Sequence, residues 1–96
     1  MNSFILTFQT SHQALEEEEK LQESDFIIKM IPTPRGISSE CGFSIRVDSN
    51  ELSITEQLTK NDNSIERIYL IYERQRSKNY EEIYRRKNTP LPPTGD

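Results

Sequence analysis

Residues 26–47, "FIIKMIPTPRGISSECGFSIRV", decide how this chain folds. The first six, Phe26 to Ile31, are apolar apart from Lys29 and rich in β-branched side chains, the composition of a strand. Pro32 and Pro34 stop that strand, because proline has no N–H to give to a sheet ladder. The last five, Phe43 to Val47, alternate apolar with polar residues, which sets Phe43, Ile45 and Val47 on one side of a half-buried strand. Between the two strands lies a loop, 32–42, that holds the only cysteine of the chain, Cys41.

Outward from this pair, the same signals recur on each side. Phe4-Ile5-Leu6-Thr7-Phe8 is short, β-branched and aromatic, and the turn and cap residues Thr10 and Ser11 follow it. This predicts a buried strand leading into a helix that begins near Ser11 and runs to about Gln22. Ala14, Leu15 and Leu21 can share one face of that helix, while Glu16 to Glu19 turn mostly to water. Consecutive helix positions fan out by about 100° each, so the acidic run cannot converge on a single cation. On the other side, Asp48, Ser49 and Asn50 offer cap chemistry for a short helix to about Lys60, with Ile54 and Leu58 four apart and Asn61-Asp62-Asn63 as its breaker. Ile68-Tyr69-Leu70-Ile71-Tyr72 then reads as a last strand.

Strand, helix, strand, strand, helix, strand is the order of a split βαβ unit, in which right-handed crossovers put both helices on one face. The expected fold is therefore α+β: a ferredoxin-like sandwich with a four-stranded antiparallel sheet and two helices. A chain of 96 residues makes one domain. We expect it to occupy residues 1–73, followed by a basic extension, 74–96, in which Tyr80, Ile83 and Tyr84 form a helical turn or two before a disordered proline-rich end.

Composition narrows the function. Hydrophobic residues are 32%, charged residues 29% and mean hydropathy -0.80, so the core is thin. Residues 1–73 carry six basic and thirteen acidic side chains, a net of -7, whereas 74–96 carry six basic and three acidic, a net of +3. No apolar run approaches the ~20 residues of a membrane span, and the start "MNSFILTF" lacks the form of a secretion signal. These features give a cytoplasmic expectation with no membrane partner. One Cys and one His fall short of a structural zinc site, and no phosphate-binding or dinucleotide-binding signature is present, so neither metal nor cofactor is expected. Tyrosines beside Arg74, Arg76, Arg85, Arg86 and Lys87 suit nucleic-acid contacts, but the acidic body argues against that partner.

The topology bears on Cys41. It puts the loop 32–42 at the same sheet edge as the amino end of the first helix, whose unpaired N–H groups and partial positive charge favour anions. Arg35 and His12 are the further candidates to stabilise a thiolate there, and Glu40 opposes them. Pro34, Ile37, Ser38, Ser39 and Gly42 are candidates for shaping the loop. A cysteine is equally at home as a small buried hydrophobe, and composition leaves that alternative open.

The string "PRGISSECG", with Pro34, Arg35, Ile37, Ser38, Ser39, Cys41 and Gly42, together with "ALEEEEKLQESDFIIKM" upstream, resembles a family of small bacterial domains described as putative Se/S carrier protein-like. The resemblance spans about residues 3–73. It implies a sulfur or selenium carrier rather than a turnover enzyme, with Cys41 accepting a persulfide or selenide and passing it to a protein partner. Beside it stands a second expectation: a binding or regulatory module whose loop recognises a small anion or a partner while Cys41 is structural. A homodimer through an edge strand or through the basic tail is a further expectation.

Overall fold

A computed structural model describes residues 2–37, 39, 41–50, 53–60 and 64–86. In chain order its elements are β1 (Asn2–Thr7), α1 (Ser11–Gln22), β2 (Ile27–Pro32), β3 (Phe43–Ser49), α2 (Ile54–Thr59), β4 (Arg67–Arg74) and β5 (Ser77–Arg85). They build one five-stranded sheet in the order β2-β3-β1-β4-β5, antiparallel at every pair.

β1 takes the middle because its apolar run can be buried on both faces at once. Phe4 and Leu6 look one way and Ile5 and Thr7 the other, and all four are buried. The register carries this division across the sheet, since Leu6 stands opposite Ile45 on one side and Ile68 on the other. Phe4, Leu6, Ile45, Val47 and Ile68 pack with Ala14 and Leu21 of α1 and Ile54 and Leu58 of α2, so both helices cover the same face. On the opposite face Ile5 and Tyr69 form a smaller cluster with Ile37, flanked by Ile31, Ile71 and Tyr80. Among the described residues that face has no helix; the loop after β2 supplies Ile37 to cover it.

The sheet has five strands, not four, and residues 80–84 are strand where a helical turn was expected. Gln75 and Arg76, at φ 53° and 63°, make a two-residue turn that closes Arg74 onto Ser77. Left-handed backbone at both central positions suits the twist of a tight hairpin, although the sequence lacks the usual Asn-Gly or Asp-Gly signal. A bulge explains the helix-like spacing. Tyr84 stands opposite Ile68 and Glu82 opposite Tyr69, which leaves Ile83 as the extra residue. Tyr80 consequently faces the Ile37 side and Tyr84 the helix side.

Two local expectations also change. Asp48 and Ser49 do not cap α2: β3 continues through Ser49, where Asp48 accepts hydrogen bonds from Ser3 and Arg46, and α2 starts after Ser53. Its expected breaker, residues 61–63, lies outside the described residues, as do Ser38, Glu40 and the end of the chain from residue 87. In α1, Thr10 is the cap, its hydroxyl accepting from the Gln13 N–H at 3.2 Å. Within the acidic run Glu17 is the exception, 3% exposed, with Oε1 accepting from the Ser64 N–H at 2.9 Å. That bond ties α1 to the segment entering β4. Among the described residues no helix is long and apolar enough to cross a membrane.

Candidate functional site

The loop between β2 and β3 leaves the sheet at Pro32, folds back over the helix-free face, and returns at Gly42. Its neck is closed by Thr33, whose N–H donates to the Gly42 carbonyl at 3.0 Å. The Thr33 hydroxyl donates to the Cys41 carbonyl at 3.1 Å and lies 2.8 Å from the Ser44 hydroxyl. With its own proton committed to the carbonyl, Thr33 accepts from Ser44. At the far end the Ile37 N–H donates to the Pro34 carbonyl at 3.1 Å, which folds 34–37 into a turn. Ile37, 6% exposed, then drops into the cluster of Ile5 and Tyr69. Ser39 completes the attachment by donating to the Phe8 carbonyl at 3.2 Å.

Gly36 is the position where this path needs a glycine. A Cβ there would stand 2.8 Å and 2.9 Å from Cδ2 and Cε2 of Tyr80, closer than real Cβ atoms come to carbon. At Gly42 a Cβ would meet nothing within 4 Å, so close packing does not require glycine beside the cysteine.

Cys41 itself turns inward. It is a free thiol, 3% exposed, and belongs to the cluster between the sheet and the helices. Two polar groups reach its sulfur: the Phe43 N–H donates to Sγ at 3.4 Å, and the hydroxyl of Ser11 lies 3.8 Å away. Ser11 is the first residue of α1, so the sulfur sits at the amino end of that helix, the neighbourhood that the topology implied. A backbone donor, a hydroxyl and a helix amino end thus meet at a sulfur that is otherwise packed among apolar side chains.

The other candidates divide. Pro34, Ile37 and Ser39 shape the loop through the contacts just given, and Arg35 is exposed in the 34–37 turn. His12 is not brought to the sulfur: its Nε2 lies 2.8 Å from Glu16 Oε1, and its side chain is 81% exposed on the outer side of α1. A residue at the second helical position points away from the groups that the first position faces, which a reading by sequence proximity misses. Thr33, Ser44, Ser11 and Phe43, none of them among the site residues expected from the sequence, hold the site together. Only their places beside prolines, a cap and a strand entry could have suggested it.

The helix-free face carries one further polar feature. Arg67, 8% exposed, donates from Nη1 to the Tyr69 hydroxyl at 3.4 Å, and its Nε lies 3.7 Å from Glu82. The hydrogen bond to Tyr69 raises its pKa further above an already high value, with burial opposing and the nearby acidic groups assisting.

A family model described as "Putative Se/S carrier protein-like" matches residues 3–70. No curated protein and no solved structure matches the chain. The matched span contains β1 from Ser3 onward, β2, β3, both helices, the whole loop and half of β4, and it stops short of β5.

Proposed function

Because the chain belongs to the family described as "Putative Se/S carrier protein-like", we propose that it carries sulfur or selenium on Cys41 between protein partners. The observation that carries this reading is the setting of Sγ, with the Phe43 N–H and the Ser11 hydroxyl directed at it from a strand entry and a helix amino end. The proposed step is a thiol exchange. The Cys41 thiolate attacks the outer sulfur of a donor persulfide; the new S–S bond forms on Cys41, the donor's S–S bond breaks, and the donor leaves as a thiolate. An acceptor thiolate repeats the step in the opposite sense. Selenium in the outer position follows the same balance. In the β2-β3-β1-β4 part of the sheet we read the ferredoxin-like split βαβ arrangement, which brings the loop to the start of α1, and we place the protein in the cytoplasm.

A second reading keeps Cys41 as a packing residue of a non-covalent binding module, and its 3% exposure favours that reading. Native-state alkylation separates the two. With iodoacetamide near neutral pH, a carrier thiol reacts faster than the protein unfolds, in proportion to reagent concentration. A packed thiol reacts only through unfolding, at a rate that stops rising with reagent, and that result, together with no uptake of sulfur from a donor persulfide, would end the carrier reading.

A further inference from the structure

Cys41 is buried, so a carrier must admit its partner at one side of the sulfur. The two residues whose polar groups touch Sγ, Ser11 and Phe43, also line an apolar recess of about 140 Å³, together with Ala14, Leu15 and Met30. The recess is too small for a metabolite-sized ligand, which needs at least ~300 Å³, but it has room for one side chain. Its rim is sticky: Leu15 is 54% exposed and Phe43 49%, two of the five large hydrophobic side chains that the described residues leave open. Leu15 lies on α1, and Glu18 and Glu19 stand three and four residues further along, on the turn next to it. Glu16 follows Leu15 directly, held by His12. An apolar seat beside the sulfur therefore has an acidic border.

Resting on the carrier reading, we infer that this recess is the docking seat for the partner, and that it accepts an apolar side chain next to the partner's reactive cysteine, from a segment with basic flanks. The apolar side chain fills the space between Leu15 and Phe43. The basic residues meet Glu18 and Glu19, which favours encounter as well as register. Seating the side chain displaces Phe43 or Leu15 from the path to Sγ and brings the partner's sulfur to Cys41 from the α1 side. On the other side the loop neck holds the Cys41 carbonyl through the Thr33 hydroxyl, which the Ser44 hydroxyl backs at 2.8 Å.

Short peptides test the seat directly. Acetyl-Lys-Leu-Cys-Lys-amide, joined as a mixed disulfide to thionitrobenzoate, reacts when the Cys41 thiolate attacks the peptide sulfur; the peptide–Cys41 bond forms and coloured thionitrobenzoate leaves. The rate is compared with those of peptides carrying Ser for Leu, or Glu for both Lys, on wild-type protein and on Leu15→Ser and Phe43→Ser. Both substitutions replace half-exposed side chains, so the fold is retained, and circular dichroism checks it. The expected result is a preference of about tenfold for the Leu peptide over the Ser peptide, the equivalent of ~1.4 kcal/mol. Each substitution should abolish that preference, and the Glu peptide should be slower in a manner that added salt weakens. Equal rates for all peptides, or a preference that survives both substitutions, would overturn the docking seat. The carrier reading would survive those outcomes, because Cys41 would still have reacted. Failure of every peptide together with unfolding-limited alkylation would remove both.

Discussion

Adding one methyl group at Gly36 tests the path of the loop. In Gly36→Ala the new Cβ would lie 2.8 Å from Cδ2 and 2.9 Å from Cε2 of Tyr80, whose ring is itself packed against the Ile37 cluster. Ordinary carbon contacts are ~3.5–4.0 Å, so the loop and the ring must part by roughly 0.7 Å. Overpacking of this kind costs ~1–3 kcal/mol. Replacing glycine also restricts the unfolded chain, which returns ~0.4–1 kcal/mol. The net expectation is a destabilisation of about 1 kcal/mol, read as a fall in the urea midpoint at unchanged m-value. The diagnostic arm is the double variant. With Tyr80→Ala the ring is gone, so the same Gly36→Ala change should become neutral or slightly stabilising, a coupling of about 1–2 kcal/mol between residues 44 positions apart in sequence. An equal effect of Gly36→Ala in both backgrounds would refute the contact, and with it the idea that β5 holds the loop of the candidate site.

Three further outcomes follow from the same structure. Ile37→Ala removes the one loop side chain that the described residues place in the helix-free cluster; it should cost about 2 kcal/mol in urea unfolding and increase native-state alkylation of Cys41, because the loop loses its anchor. Glu17→Ala leaves the Ser64 N–H without its acceptor in a partly buried place and should cost ~1–3 kcal/mol, whereas Glu17→Gln, which keeps an acceptor oxygen, should cost less than half of that. Tyr69→Phe removes the hydroxyl that accepts from Arg67. The raised Arg67 pKa means that its contribution is complete below the ordinary guanidinium pKa and lost only as pH rises past the folded value. The loss in Tyr69→Phe, about 1 kcal/mol, should therefore be flat between about pH 6 and pH 8; a loss that titrates in that range would contradict the assignment.

Much of this architecture is legible in the residues. The strand at Phe43 to Val47 alternates because Ile45 and Val47 are buried beneath the helices while Arg46 between them is only partly covered, and the centre of β1, Phe4 to Leu6, is apolar throughout because both of its faces are buried. The helix starting at Ser11 is announced by Thr10, and Ile54 with Leu58 mark the buried side of α2. β5 is hidden for two physical reasons: its turn uses Gln75 and Arg76 where glycine or asparagine would have been the signal, and the bulge at Ile83 turns a period of two into helical spacing. The site is divided in the same way. That Cys41 lies near the amino end of α1 follows from topology, and so does the loop's place at that edge. That His12 turns to Glu16, that Ser11 and Phe43 meet the sulfur, and that Gly36 rests on Tyr80 depend on side-chain direction, which no local pattern encodes.

Loading with a cysteine desulfurase and free cysteine addresses the carrier role most directly, with intact mass read before and after a protein thiol acceptor is added. The carrier account expects wild-type protein to gain the mass of one sulfur atom and lose it to the acceptor, while Cys41→Ser gains nothing. No added sulfur on the wild type, or equal addition to Cys41→Ser, would contradict it.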